Sequence, residues 1–390
     1  MMHRYLIFYF AALAALAIFI LLPLEITSNY LKGMGELTVD EVIERQQLSR
    51  TPCLFGSALR QDNFAYKTAL YDRIQPDIVA IGSSRVMQFR SDMFAGSFVN
   101  LGGAFGSLAE GEALVKRMLS RHRPKLVLFG IDFWWFNVNY QSAKGAAQAR
   151  VPASVSPVKQ MLATVSWLAN GKISLSEVID GLGGKQQTNC HLGVQAKKTL
   201  QGFGPDGSYY YVGLITGQHP SDDVQFVNTI SRIRSGNRRF DYGFSVDPAH
   251  LQRFRDILSL LKAEQIPTVL FLPPLAPRAN EEIHLHREEY AYIPQLRVSL
   301  IEAGLAGHDF TDATLLGATA CEFVYGVHAG DVSYARILKA LSSSPVVRPW
   351  VAGDSLNAYL NYSGLAMRPV SQITQEAEVD FLGIGCTKKK

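Results

Sequence analysis

Ser84 stands in Gly82-Ser83-Ser84-Arg85, directly behind the apolar run Asp77-Ile-Val-Ala-Ile81, and His328 stands far downstream in Tyr325-Gly-Val-His-Ala-Gly-Asp331. A serine hydroxyl becomes a nucleophile when a base takes its proton, and a neutral imidazole takes and returns protons near neutral pH. A serine at a strand-to-helix turn also turns its backbone N–H toward the cleft, where it can hold an oxyanion. The plainer readings are a serine that caps a helix and a structural loop histidine. Asn100-Leu-Gly-Gly-Ala-Phe-Gly106 follows a second apolar run, and its glycines let backbone come close to a substrate oxygen. Gly130-Ile-Asp132 follows a third run, where Asp132 serves equally well as a helix cap. After it, Phe133-Trp134-Trp135-Phe136 is either core or a membrane-facing rim.

Other constellations carry less. His284 and His286 have the spacing of metal ligands on a strand, but Ala279 to Tyr290 reads as a solvated helix, so no metal is expected. Gly181-Leu-Gly-Gly-Lys185 lacks the spacing and the Ser/Thr of a phosphate loop, so no nucleotide cofactor is expected either. Cys53, Cys190, Cys321 and Cys386 have no zinc-type spacing and allow three full disulfide pairings, among which spacing does not choose.

The elements that must position Ser84 and His328 follow from short apolar strands alternating with amphipathic helices, the pattern of a parallel sheet covered by helices. Strands are expected at Asp77–Ile81, Ser97–Leu101, Lys125–Phe129 and Thr268–Leu272, with a short fifth at His308–Thr311. Leu108 to Leu119 has helical apolar spacing, Asp247-Pro248 opens a second helix, and Tyr334 to Leu341 reads as a third. In a parallel sheet, ligands bind beyond the carboxyl ends of the strands, where these motifs fall. The stretch from Asn139 to Gly243 breaks the alternation and reads as an insertion. Thr27 to Tyr71 shows no strong period.

The chain has 390 residues, 47% of them hydrophobic, enough for a large core. Its net charge of +4 comes from 38 basic and 34 acidic residues that are interspersed, so no nucleic-acid-binding block stands out; Lys388-Lys389-Lys390 is too short to be one. Tyr5 to Leu24 carries no charge and is long enough to cross a hydrocarbon core of roughly 30 Å. With Arg4 before it and Glu25 after it, the positive-inside rule puts the N-terminus in the cytoplasm and the rest outside. No small-x-small cleavage site follows, which favours an uncleaved anchor over a signal peptide.

In order and context, the Gly-x-Ser turn, the Asn-x-Gly-x-x-x-Gly loop, Gly-x-Asp and the late Gly-x-His resemble the four sequence blocks of the SGNH (GDSL-type) hydrolases, over roughly Pro76 to Leu341. The resemblance implies a three-layer α/β/α domain with a parallel, flavodoxin-like sheet, here behind one transmembrane helix. It implies a catalytic pair, Ser84 and His328, and an oxyanion hole from Ser84, Gly106 and Asp132, the last in a place usually held by asparagine. The aspartate usual three residues before the histidine is Tyr325 here; Asp309, Asp312, Glu322 and Asp331 stay open as substitutes. The anchor, the Gly-Ser-Ser-Arg turn, Phe271-Leu-Pro-Pro274 and the closing Val379-Asp-Phe-Leu-Gly-Ile-Gly-Cys386 resemble the DltD-like and alginate-acetylation-like branch more closely. Proteins of that branch work beside membrane-bound O-acyltransferases (MBOAT).

The expected organisation is an anchor over residues 1–26, a membrane-proximal segment over 27–75, an SGNH-like domain over 76–345 with its insertion at 139–243, and a C-terminal extension over 346–390. The expected function is acyl, in particular acetyl, transfer to an exported or cell-envelope polysaccharide. It is set at the bacterial inner membrane, with the main domain periplasmic, an MBOAT partner, and neither cofactor nor nucleic acid. A periplasmic carbohydrate esterase and a degenerate glycan-binding or scaffold protein of the same fold are the alternatives.

Overall fold

The computed structural model describes residues 2–59, 63–140, 155–182, 190–303 and 308–387; the side chains of residues 2–4, 12–18, 20, 181 and 182 are also outside the description. The chain is a mixed α/β structure around a four-stranded parallel sheet. Its strands are β1 (Ile78–Ile81), β2 (Phe98–Asn100), β3 (Leu126–Gly130) and β6 (Thr268–Phe271), in the order β2-β1-β3-β6. The two central strands are buried throughout, as continuous Ile/Val/Leu/Phe runs covered on both faces require. Register is set by pairs such as Val79 with Val99 and Val127, and Leu128 with Val269.

The fifth strand expected at His308–Thr311 is only two isolated parallel bridges, Leu272 with Asp309 and Leu275 with Asp312. The Asp309 carboxylate accepts from the Thr311 N–H at 3.0 Å and from Arg297 at 2.7 Å, which turns the chain out of ladder geometry.

The helices before the sheet are α1 (Met2–Gly33), α2 (Val39–Leu48) and α3 (Asn63–Ile74). Thus Thr27 to Tyr71, which shows no strong period, is largely helical. Its local signal is the capping box Thr38-x-x-Glu41, in which Thr38 Oγ1 accepts from the Glu41 N–H while Glu41 reaches back to the Thr38 N–H. Among the described residues no helix is long and apolar enough to cross a membrane. The stretch expected to span, Tyr5 to Leu24, falls partly on the side chains left undescribed.

α4 (Leu108–Leu119) follows β2, capped by Ser107, and buries Leu108, Gly111, Leu114, Val115 and Met118. The region between β3 and β6 holds α5 (Pro157–Ala169), α6 (Leu175–Leu182), α7 (Val194–Thr199), the hairpin β4 (Gln201–Phe203) and β5 (Tyr209–Tyr211), α8 (Val212–Ile215), α9 (Val227–Arg234) and α10 (Pro248–Ala263). α3 and α10 both pack on α4, and the Asp247 carboxylate caps α10. α5 and α6 pack on α1, where Trp167, Ile173 and Val178 bury with Tyr30 and Leu31.

The turn of the β4–β5 hairpin docks on the nucleophile side of the sheet. The Asn100 N–H donates to Asp206 O at 2.8 Å, and the Tyr209 N–H to Met87 O at 3.0 Å. The fully buried Lys67 ammonium donates to the carbonyls of Asn100 and Gly207.

After β6 come α11 (Pro277–Leu285), α12 (Tyr292–Glu302), the hairpin β7 (Phe323–Tyr325) and β8 (His328–Ala329), α13 (Asp331–Leu341) and α14 (Gly353–Leu360). Cys53 is bonded to Cys190 and Cys321 to Cys386. The second bond ties the C-terminal tail beside the histidine hairpin, and the tail is also held by Val379 N–H to Ile215 O and by Gln225 N–H to Leu382 O.

Candidate active site

β1 delivers Ser84 by turning at Gly82, whose φ of +151° favours glycine. A Cβ there would lie 2.4 Å from Val86 Cγ2 and 2.8 Å from Gly130 O, so the close packing against the end of β3 also excludes any side chain. Ser83 Oγ accepts from the Arg85 N–H at 3.2 Å and so caps the short 3₁₀ turn Ser84–Val86. The capping role open to Ser84 thus belongs to its neighbour. Asn100, at the end of β2, fastens this turn from below: its side-chain amide donates to Val86 O and Phe89 O at 3.0 Å, and its Oδ1 accepts from the Gly102 N–H at 2.8 Å.

β7 and β8 deliver His328 through a two-residue turn, Gly326-Val327, with Tyr325 opposite His328. Gly326 has no room for a side chain, because a Cβ would meet Thr229 at 2.6 Å. Asp223 holds the turn by accepting from the Gly326 N–H at 2.8 Å. The result, across 244 residues of sequence, is a hydrogen bond of 2.9 Å between Ser84 Oγ and His328 Nε2. Both residues are half-buried, so the pair is reachable from solvent.

The surroundings of the pair have features that sequence patterning did not reach. Arg85, 1% exposed, is the hub where several strand ends meet. Its guanidinium pairs with Asp132 Oδ1 at 3.0 Å and donates to Pro273 O at 2.6 Å, Pro274 O at 2.9 Å and Val327 O at 3.3 Å. It therefore links the ends of β1, β3 and β6 to the turn that carries His328. The Tyr334 hydroxyl, on α13, donates to the Arg85 carbonyl. The signal for this hub was an arginine directly after the serine, which charge patterning alone would place on the surface.

The expected oxyanion donors are differently employed. Among the described residues the Ser84 N–H has no acceptor. The Gly106 N–H donates to Glu110 Oε2 at 2.8 Å, while its carbonyl accepts from Trp135 Nε1 and the Tyr140 hydroxyl, each at 2.9 Å. Asp132 is 1% exposed, and burial above all raises its pKa against the opposing pull of Arg85. Paired to that arginine, it accepts hydrogen bonds and donates none. Phe133, Trp134, Trp135 and Phe136 are all buried, which places them in the core.

None of the acids left open reaches the far nitrogen of His328. Asp309 pairs with Arg297, Asp312 caps Thr314, Glu322 pairs with Arg336 at 2.9 Å, and Asp331 pairs with Arg90 at 3.2 Å and accepts from the Arg368 N–H. Tyr325 meets the imidazole edge to face, with centroids 5.7 Å apart. His328 Nδ1 is buried and has no hydrogen-bond partner among the described residues. Burial, then Arg239, Arg85 and Arg232, push the pKa of His328 down to about 3. The ring is neutral at pH 7, as a base must be, but its protonated form is opposed from several directions.

A scan against protein-family models found no match, and no curated protein matches the chain.

Proposed function

We propose that this chain is a membrane-anchored, extracytoplasmic SGNH-type acyltransferase that moves an acyl group, in particular acetyl, onto a polysaccharide beside a multi-pass O-acyltransferase of the MBOAT kind. The observation that carries the reading is the 2.9 Å contact between Ser84 Oγ and His328 Nε2 at the carboxyl ends of a parallel sheet. The strand order β2-β1-β3-β6, with the bridges at Asp309 and Asp312 beyond it, supports a flavodoxin-like sheet. Exposed apolar side chains along α1, among them Tyr5, Ile7, Phe8, Phe19, Leu21 and Leu22, support an anchor, since lipid would cover them.

In the proposed reaction, Ser84 Oγ attacks the acyl carbon of a donor ester while its proton passes to His328 Nε2. That proton goes to the departing alcohol as the donor C–O bond breaks, leaving an ester on Ser84. An acceptor hydroxyl then gives its proton to His328 and attacks the same carbon, and Ser84 Oγ leaves and regains the proton. The Ser84 N–H faces the oxyanion in both steps.

The test is intact-mass analysis of the full chain in detergent after incubation with an activated acetyl ester. An adduct of one acetyl group, absent in Ser84→Ala and His328→Ala, is expected. A folded protein that forms no adduct and turns nothing over refutes the reading. A second reading, a catalytically silent glycan-binding protein of the same architecture, is favoured by the unpartnered Nδ1 of His328. It requires that Ser84→Ala leave the cellular phenotype intact. Acetate release with no acceptor or partner would instead identify an esterase.

A further inference from the structure

The last turn of α9 carries Arg232 and Arg234, of which Arg234 is paired with Glu282, and the loop after it carries Arg238 and Arg239. Arg238 and Arg239 both have positive φ, +50° and +85°, a region that long side chains rarely occupy unless surrounding structure holds them there. The strained turn brings the Arg239 guanidinium to 5.9 Å from the Trp134 ring centroid, the same indole that Arg85 approaches at 5.2 Å.

Arg232 reaches the histidine turn through Thr229, whose side chain packs against Gly326. Its Nη2 donates to Thr229 Oγ1 at 3.1 Å, and its buried Nε has no partner among the described residues. Asp223 lies near, but its oxygens already accept from the Thr229 N–H, Thr229 Oγ1 and the Gly326 N–H. Among the described residues none of Arg232, Arg238 and Arg239 has a carboxylate within ion-pair distance. Arg232 and Arg238 also line a cavity of about 720 Å³, whose wall mixes Ser221, Asp222, Asn228 and Asn237 with Val224 and Val227.

We propose that Arg232 and Arg239, with Arg238 at the cavity wall, form an anion-binding subsite beside Ser84 and His328, and that the group it takes is a carboxylate or phosphate carried by the substrate. The word substrate rests on the acyl-transfer reading; the binding site does not. Guanidinium forks suit both anions, which they grip through paired N–H donors. The hydroxyl and amide groups of the cavity suit the sugar part of an acidic glycan. A bound anion would also offset the positive field on His328 and so supply, from the ligand, part of what a third catalytic acid supplies elsewhere.

The test is calorimetric titration of full-length Ser84→Ala protein in detergent, which blocks turnover, with an oligogalacturonate, with glycerol phosphate and with a neutral cello-oligosaccharide. At least one acidic probe should bind about tenfold or more tightly than the neutral one, and should lose about that factor in Arg232→Gln/Arg239→Gln. Binding of the uronate or of the phosphate identifies which source the subsite accepts, and either supports it. Arg239→Gln alone, at an exposed side chain with no hydrogen bond among the described residues, guards against a double variant that fails to fold; Arg239→Lys should recover part of the affinity. Equal affinity for acidic and neutral probes, unchanged affinity in folded Arg239→Gln and double variants, or no binding of either anion, overturns the subsite. Acyl-adduct formation on the wild type keeps the two ideas apart: adduct without anion binding removes the subsite alone, and anion binding without adduct removes the transfer reading alone.

Discussion

Arg85→Met is the substitution that most directly tests how the pair is held. The change keeps an unbranched side chain, shorter than arginine's, and deletes the ion pair to Asp132 and three hydrogen bonds to Pro273 O, Pro274 O and Val327 O. Breaking a buried pair from one side costs about 3–5 kcal/mol, and each stranded carbonyl adds about 1 kcal/mol or more. The sum, roughly 6–8 kcal/mol, is comparable with the whole stability of a typical domain, about 5–15 kcal/mol. Asp132 has a way to limit that loss, because its burial already favours the protonated acid. In the variant its folded pKa lies further above the unfolded value, so its contribution is present at low pH and lost as pH rises through the folded value. The deficit should therefore be larger at pH 8 than at pH 5. Arg85→Met/Asp132→Leu removes the uncompensated carboxyl and should recover roughly 3 kcal/mol of the single variant's loss. Urea unfolding followed by tryptophan fluorescence, to which Trp134 beside this hub contributes, reads all three proteins. A single variant within about 1 kcal/mol of wild type, or a double variant less stable than the single one, would refute the role given to Arg85.

Two further outcomes follow from the same geometry. With His328 pushed down to about 3, acylation of Ser84 by a small neutral ester should stay level as pH falls from 7 to 5, whereas a histidine with an ordinary pKa of about 6.5 loses most of its base form over that range. The unfolded chain takes up that proton first, so this residue's share of stability falls as pH drops below about 6.5; a pH–rate midpoint near 6.5 would sink the argument. Cys321→Ser/Cys386→Ser opens a link across 65 residues, worth about 4 kcal/mol by chain entropy. It should lower the melting temperature and expose the tail at Val379–Cys386 to protease, and unchanged melting and cleavage would show that the tail is held without it.

The four sheet strands were readable in the sequence because continuous Ile/Val/Leu/Phe runs ending at Gly or Pro have few other uses. α4 and α10 were readable from their apolar stripes, and α10 also from its Asp-Pro start. Ser84 and His328 could be singled out as each standing in a turn beside a strand, but their approach across 244 residues depends on two hairpins and on Arg85, none of which leaves a periodic trace. α2 and α3 lay in a stretch with no strong period, since α2 buries Val42, Ile43 and Gln46 and α3 buries Lys67 and Thr68 along with its apolar residues. The aromatic run after β3 was ambiguous because core and rim use the same residues; burial decides it. Disulfide pairing is likewise a property of the folded chain. The acids near His328 illustrate the same limit: four were within a short stretch of sequence, and each is committed to another partner in space.

Those commitments shape the electrostatics of the site. In any acyl transfer through Ser84, a negative charge grows on the carbonyl oxygen while a positive charge grows on His328. An oriented carboxylate would favour the second; here Nδ1 has none, and Arg85, Arg232 and Arg239 oppose it. The same three cations favour the first, the more so because Gly106 has given its N–H to Glu110 and Asp132 has no proton to offer while paired. The balance is that of a site arranged to tolerate negative charge. It disfavours a neutral ester attacked by a neutral alcohol, where an unsupported imidazolium must form at full cost. It favours a ligand that brings its own anion close to the arginines, lowering the field at His328 while leaving the Ser84 N–H without an acceptor of its own. On the proposed reading, the missing acid and the unpaired arginines 232 and 239 are one feature rather than two: an anion bound at the subsite would speed acylation of Ser84 beyond the rate that the pair reaches alone.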